Sequence, residues 1–560
     1  MSDDGSKPAD LVFTNGAVYT VDAARRWAQA VAVRAGRIAA VGTDGEVRGL
    51  IGPKTEVHDL AGKMVLPGFQ DAHVHPPAGG LEMLQCNLSD AYTLEDYGRI
   101  IRAYAQEHPD AEWIQGGGWS MDVFPGGTPR KETLDAIIPD RPALLPNRDG
   151  HGAWVNSKAL ELAGITRETP DPGDGRIERD ESGEPSGTLH EGAIELVAKL
   201  TPPVTQEDLE AGLRVAQAYL HSLGITAWQD AIVGEHYPSF EAYLAAAGRG
   251  ELTARVIGAL WWDRHRGEEQ IPEFVDRRAR GGVGRFRATS VKIMQDGVVE
   301  NFTAGVLEPY LGPDGKPSAN RGLSFVDPEA LKGYVTRLDA ERFQVHFHAL
   351  AERAVREALD AIEVARRTNG MNDLRHHIAH IQVIHPDDVP RFRELGVVAN
   401  MQPLWAMNEG QMVNLTIPFL GPERSTWQYP FASLLRAGVM LAGGSDWSVS
   451  SPNPIWEMHV AVNRTSFPEY VYGADGLAAR EPFLPQERIG LPAAIAAFTM
   501  GSAYVNHLDD VTGSIETGKY ADLVVLDRNL FEHPAPEIYA AKVLLTTVEG
   551  ERVFAAREFA

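Results

Sequence analysis

Met64-Val-Leu-Pro-Gly-Phe-Gln-Asp-Ala-His-Val-His75 is a short apolar run that ends in two histidines one residue apart. Read as a strand, it alternates its side chains between two faces, so His73 and His75 point the same way. Two imidazoles converging at a strand end make half of a metal site. What surrounds the run decides whether the other half exists.

Working outward, the chain has two characters. Residues 10–65 read as short antiparallel strands, in the stretches Leu11 to Thr20 and Ala28 to Gly42, with turns at Asn15-Gly16, Ala35-Gly36 and Gly42. The C-terminus repeats the pattern in the strands that begin at Gly518 and Val543, with a Glu549-Gly550 turn. Half a sheet at each end predicts one small β-sandwich from residues 1–65 and 505–560, closed around something larger. Residues 66–504 alternate strand and helix. Besides the run ending at His75, strands are expected at Ile225–Asp230, Thr253–Leu260, Phe286–Met294, Phe343–His348, Leu374–Ile381, Val397–Met401 and Val439–Gly443. Eight βα units make an α/β fold with a closed (β/α)₈ barrel the natural architecture. Residues 80 to about 200 break the alternation and read as a subdomain inserted after barrel strand one. Such insertions sit over the ligand-binding mouth.

Composition narrows the function. A chain of 560 residues needs two domains or one barrel with additions. A net charge of −25 argues against nucleic acid or an anionic membrane as partner. The single cysteine, Cys86, excludes an internal disulfide and a cysteine-held zinc cluster, so any metal needs histidine, carboxylate or a rarer ligand. The N-terminus is polar, and no run approaches the roughly 18 apolar residues that span a bilayer. The expected location is cytoplasmic, which makes the Asn87 and Asn301 glycosylation patterns chance matches.

Catalytic groups of such barrels lie at the C-terminal ends of strands. Those ends carry His73 and His75 on strand one, Lys292 on strand four, His348 on strand five, His380 on strand six and Asp446 after strand eight. A lysine inside an apolar strand is costly unless paired or neutralised. With a depressed pKa its amine can react with CO₂ to give a carbamate, an anionic two-oxygen ligand able to bridge two metal ions. The loops over the mouth are rich in aromatic residues, which suit a small-molecule substrate with an apolar or aromatic substituent. Trp119, His151, Trp154, Gln402 and Trp405 are the candidate substrate contacts. His346, His376, His377 and His385 read as strand or surface histidines.

The ordered His-x-His, Lys, His, His and Asp inside a split sandwich resembles the amidohydrolase superfamily of metal-dependent hydrolases. The insert is more specific. Arg141-Pro-Ala-Leu-Leu, the stretch Asp149-Gly-His-Gly-Ala-Trp-Val-Asn156, Lys292-Ile-Met-Gln-Asp-Gly, Met401-Gln-Pro and Gly444-Ser-Asp-Trp-Ser-Val resemble amidohydrolase family 3, the YtcJ-like branch that contains N-substituted formamide deformylases. The resemblance implies one metal on His73, His75 and Asp446, a second on His348 and His380, and carbamylated Lys292 between them. It implies two Zn²⁺ ions, with a bridging hydroxide attacking the C–N bond of an amide, formamide or carbamate. Asp446 then shuttles the proton, and a homo-oligomer, taken as a dimer, is expected. The chain departs from the family where Ala379-His380 replaces Glu-His and Ala351-Glu352 replaces Gly-Asp. The first departure hands support of His380 to His376 or His377. A ring deaminase is the rival reading, since deaminases place a glutamate shortly after the fifth-strand histidine. An esterase or lactonase could use the same site. A scaffold on a degenerate barrel would have lost ligands that this chain keeps.

Overall fold

The structure, a computed structural model, describes residues 7–234, 237–468, 470 and 480–559. The opening run is two strands, where one was expected. Met64–Pro67 lies in a six-stranded sheet, antiparallel to Leu523–Leu526 and parallel to Ala17–Tyr19. Phe69–Val74 (β1) is the first barrel strand. Gly68 separates them, and a Cβ there would lie 2.4 Å from Thr226 Cγ2 on the next barrel strand. Only glycine allows that approach.

A four-stranded sheet in the order Arg37–Gly42, Ala30–Arg34, Leu11–Thr14, Glu56–Asp59 packs on the six-stranded one. Phe13, Val31 and Val33 meet Val65, Val525 and Leu545 between them. Strands from both ends of the chain therefore share one apolar core.

The barrel continues with β2 (Ile225–Val233), β3 (Arg255–Trp261), β4 (Phe286–Met294), β5 (Gln344–Ala349), β6 (His377–His380), β7 (Val398–Met401) and β8 (Leu441–Gly443). All pair in parallel with their chain neighbours. Just beyond β8, Asp446 N donates to His73 O at 2.7 Å and His75 N to Trp447 O at 2.8 Å, drawing the last strand end onto the first. These are the eight strands expected. β6 starts at His377 and not at Leu374, because Arg375 has φ +55°, which breaks an extended run. Helices begin where capping side chains stand, at Thr205 before Gln206–Ser222 and at Asp327 before Pro328–Ala340.

The insert has a sheet of its own, ordered Gly175–Arg179, Pro185–Glu191, Gly152–Val155, Ala143–Pro146, Ile114–Gly117, Cys86–Asn87. Its core is aromatic. Trp119, Phe124 and Trp154 pack with ring centroids 5.3–6.5 Å apart. Among the described residues no helix is long and apolar enough to cross a membrane.

Candidate metal centre

Nε2 of His73 and Nε2 of His75 lie 3.1 and 2.8 Å from one oxygen, Asp446 Oδ1. Lys292 Nζ, from β4, lies 3.3 Å from His73 Nε2. The His380 ring sits 4.7 Å from that of His73 and 4.5 Å from that of His348, centroid to centroid, and its Nδ1 is 3.9 Å from Asp446 Oδ2. All six candidate ligands, drawn from five strands, therefore meet in one place. They share a cavity of about 920 Å³.

The site fits a divalent metal. Both ring nitrogens of His380 are buried without a hydrogen-bond partner, as is Nδ1 of His348. An unsatisfied buried polar group costs about 1–3 kcal/mol, which a shared cation would offset. His73, His75 and Asp446 offer ligand atoms all within 4.8 Å of one another, close enough for one ion. Imidazole and carboxylate donors without thiolate suit zinc and its neighbours.

Burial sets the charges. It pushes the Lys292 ammonium down to about 7 against the pull of Asp446 and Asp230. It also pushes His73, His348 and His380 well below the usual histidine range. Burial opposes ionisation of Asp446, but the His75 hydrogen bond and the charges of His380 and Lys292 outweigh it and hold the carboxyl below its ordinary value. His380 and Asp446 adopt φ of +77° and +57°, strained for residues with a Cβ. Neighbours hold them there. Gln402 Oε1 accepts from His380 N at 2.8 Å, and Asp446 N is the donor to His73 O. Asp71, buried beneath, accepts from His73 N and from Ser445 N.

The proposed substrate contacts divide. His151 lines the cavity, its ring 5.4 Å from that of His348. Its Nδ1 donates to both oxygens of Glu191 at 3.0 Å. Burial works against the imidazolium, yet Glu191 raises it to about 9. Trp119, Trp154, Gln402 and Trp405 do not line the cavity. Trp119 and Trp154 are core residues of the insert, their indole N–H groups donating to Leu145 O and Arg130 O. Trp405 stacks on His380 at 5.4 Å and 14°, and Gln402 supports that histidine from below. The cavity's outer wall instead mixes Trp261, Phe274 and Tyr237 with Asp174, Arg264 and Arg277.

Three supporting residues lie outside the candidate list. His346, expected to be a plain strand histidine, points inward and meets His73 Nδ1 through its Nε2 at 2.9 Å. Its signal was present in Gln344-Val-His-Phe-His348, which repeats the His-x-His spacing of β1. Asp296, held by the backbone N–H groups of Leu350, Ala351 and Gly305, lies 3.5 Å from His348 Nδ1. Gln229 on β2 meets both His346 and His377. His376 does face away, bonded to Asp339 and Val345 N. Neither His376 nor His377 bonds to the His380 ring.

The amidohydrolase family model matches residues 56–554. The chain belongs to the amidohydrolase family. It is 32% identical over 563 residues to Protein LONG AFTER FAR-RED 3 of Arabidopsis thaliana, covering 98% of this chain and 92% of that one. It is 28% identical over 555 residues to the N-substituted formamide deformylase of Arthrobacter pascens, covering 97% of each. A crystal structure of an uncharacterized metal-dependent hydrolase from Pyrococcus furiosus matches with a TM-score of 0.69 and 26% identity, covering 93% of this chain and 99% of that one. This amidohydrolase is a hydrolytic enzyme on a TIM-like barrel, and the branch expected from the insert motifs agrees with its deformylase relative.

Proposed function

We propose that this amidohydrolase cleaves the C–N bond of an N-substituted amide, formamide or carbamate. The observation that carries the reading is the meeting of the two His-x-His strands, His380, Lys292 and Asp446 in one buried cavity. His73, His75 and Asp446 would hold one divalent ion, zinc by donor chemistry, and His348 and His380 a second. A metal bound there acidifies a water and polarises a carbonyl. Lys292, its ammonium pushed down to about 7 by burial, would add as a neutral amine to CO₂ with loss of a proton, and the carbamate would supply an anionic oxygen ligand.

The chain's own groups do the rest. Asp446 is ionised, and its Oδ1 faces the same point as the Nε2 atoms of His73 and His75, so it can take a proton from the attacking water. Returning that proton to nitrogen lets the amine leave. His151 stands on the cavity side of His348 as a cation and can donate to the substrate carbonyl. The insert carrying it lines the cavity with Gly116, Asn147 and Glu191 as well.

The deformylase relative supports a C–N bond over an ester. Glu352 argues against the ring deaminase, because its Oε1 accepts from Leu307 N and pairs with Arg424, and it does not line the cavity. The mixed outer wall favours a substituent with an apolar body and a polar end. The test is metal analysis of the purified chain combined with a panel of formamides, N-acyl amines, carbamates, esters and aminated rings. Amine release that needs divalent metal supports the reading. Ammonia released from aminated rings alone overturns it.

A further inference from the structure

Barrel interiors are usually apolar layers of Val, Ile and Leu. Beneath this metal centre the layer is polar, and each hydrogen bond in it has a direction fixed from outside. Gln344 Nε2 lies 2.9 Å from Arg375 O and 2.6 Å from Val505 O. Backbone carbonyls only accept, so that atom is the amide nitrogen and Gln344 Oε1 is an acceptor. Gln229 Nε2 donates to it at 3.1 Å and to Asn506 Oδ1 at 2.8 Å. Gln229 Oε1 therefore faces His346 Nδ1 at 2.6 Å and His377 Nε2 at 3.0 Å, and both ring nitrogens must carry protons.

The same direction follows from a second anchor. The backbone N–H of His380 fixes Gln402 Oε1 as an acceptor, and Gln402 Nε2 donates to Asn400 Oδ1 at 2.9 Å. Asn400 Nδ2 then donates to Ala72 O at 2.9 Å and to His377 Nδ1 at 3.2 Å. His377 is left with its proton on Nε2, aimed at Gln229 Oε1. Two chains that start from different backbone groups agree at one oxygen.

We infer that Gln344, Gln229 and His346 form a directional hydrogen-bond relay that holds the His73 ring with its proton on Nδ1 and so presents a bare Nε2 to the metal centre. The step is short. With a proton on Nδ1 and no carboxylate among its partners, His346 keeps a lone pair on Nε2. It accepts there from His73 Nδ1 at 2.9 Å. His73 Nε2 is then the free lone pair, facing Lys292 and Asp446. Primary amides orient protons but do not pass them on, so the relay sets the ligand's tautomer without draining protons from the site. Gln344, Gln229 and His346 are positioning residues, acting through His73. The inference rests on the proposed metal role of His73 and not on any substrate.

Long-range ¹H–¹⁵N NMR on the full-length, metal-free chain labelled with ¹⁵N-histidine reads the tautomer directly, with His73→Gln assigning the signal. The expected result is a His73 ring protonated on Nδ1 and bare on Nε2. Protonation on Nε2 in the wild type overturns the relay. Zinc affinity by chelator competition is the second readout. His346→Phe keeps a ring but removes the acceptor, and should weaken zinc by about 10- to 100-fold. His346→Gln, whose Oε1 can accept from His73, should recover most of that loss. Equal zinc affinity in the two variants would reduce His346 to packing and overturn the relay. Neither readout uses a substrate, so a failed hydrolysis screen leaves this test intact. The tautomer is read on the wild-type chain, and a variant serves only to assign the signal.

Discussion

Lys292→Met should make the metal-free protein more stable while abolishing activity, and the gain should depend on pH in a defined window. The Lys292 ammonium falls from 10.5 to about 7 on folding, a drop of roughly 3.5 pH units caused first by burial. At about 1.4 kcal/mol per unit, holding a proton on it in the fold costs about 5 kcal/mol. The sign follows from proton counting. Between pH 7 and 10.5 the unfolded chain binds more protons than the folded one, so stability rises with pH there. Below pH 7 both states are protonated and the whole penalty applies; above 10.5 it vanishes. Methionine fills the same space and carries no charge to desolvate. The stability difference between Lys292→Met and wild type should thus shrink by about 2.5 kcal/mol between pH 6.5 and pH 9. Titrating groups distant from Lys292 are common to both chains and cancel, and among its neighbours Asp446 and Asp230 are the carboxylates that its charge favours in the ionised form. The assay is urea denaturation of metal-free protein in CO₂-free buffers, followed by fluorescence at both pH values. A difference that does not change with pH would refute the buried, depressed lysine, and with it the chemical reason for a carbamate.

Other expectations follow from the same geometry. Asp446→Asn should lower kcat by about 10²- to 10⁴-fold in metal-supplemented assays, as loss of a proton shuttle does, and should also weaken metal binding measured by chelator competition. Glu191→Gln removes the charge that holds the His151 imidazolium at about 9, so the alkaline limb of the kcat/KM profile should move toward neutral pH. An unmoved limb would remove His151 from the reaction. Trp154→Ala should cost about 3–5 kcal/mol, read as earlier proteolysis of the insert, while zinc affinity stays near wild type because Trp154 does not line the cavity.

What could be read in the sequence was whatever depends on period and order. Eight strands and the meeting of six proposed ligands at their ends follow from alternation and from which residue ends each strand, and both are local properties. The misplaced residues depend on distance. Trp119 and Trp154 lie in a stretch without regular alternation, so nothing local says that they face each other across Phe124 and not the cavity. Met64–Pro67 and Phe69–Val74 read as one strand because Gly68 breaks the run through its contact with Thr226, more than 150 residues away in the chain. His346 is the instructive case. Its spacing to His348 matched that of His73 to His75, but a strand of alternating histidines gives no hint of which one enters the cavity and which one bonds to the ring of another histidine.

The polar barrel interior explains why those roles divide as they do. The inward positions of β2, β5, β6 and β7 hold Gln229, His346, His377 and Asn400, all fully buried. Apolar side chains in those places would pack at less risk, since every buried amide must find all its partners. This barrel meets most of that demand by ending its chains on backbone groups, at Arg375, Val505 and Ala72 below and at the His380 amide above, leaving Asn506 Nδ2 and the Gln70 amide without a partner. Apolar packing between strands and outer helices, from Phe69, Val291, Val345 and Ile378, stabilises the barrel independently of that interior. The interior is thereby free to orient ligands. It follows that single substitutions at Gln229 or Asn400 should disturb metal binding more than they disturb the fold. Comparing chelator competition with urea midpoints for Gln229→Leu and Asn400→Leu would decide the point. Loss of stability with unchanged zinc affinity would place the network in the fold alone.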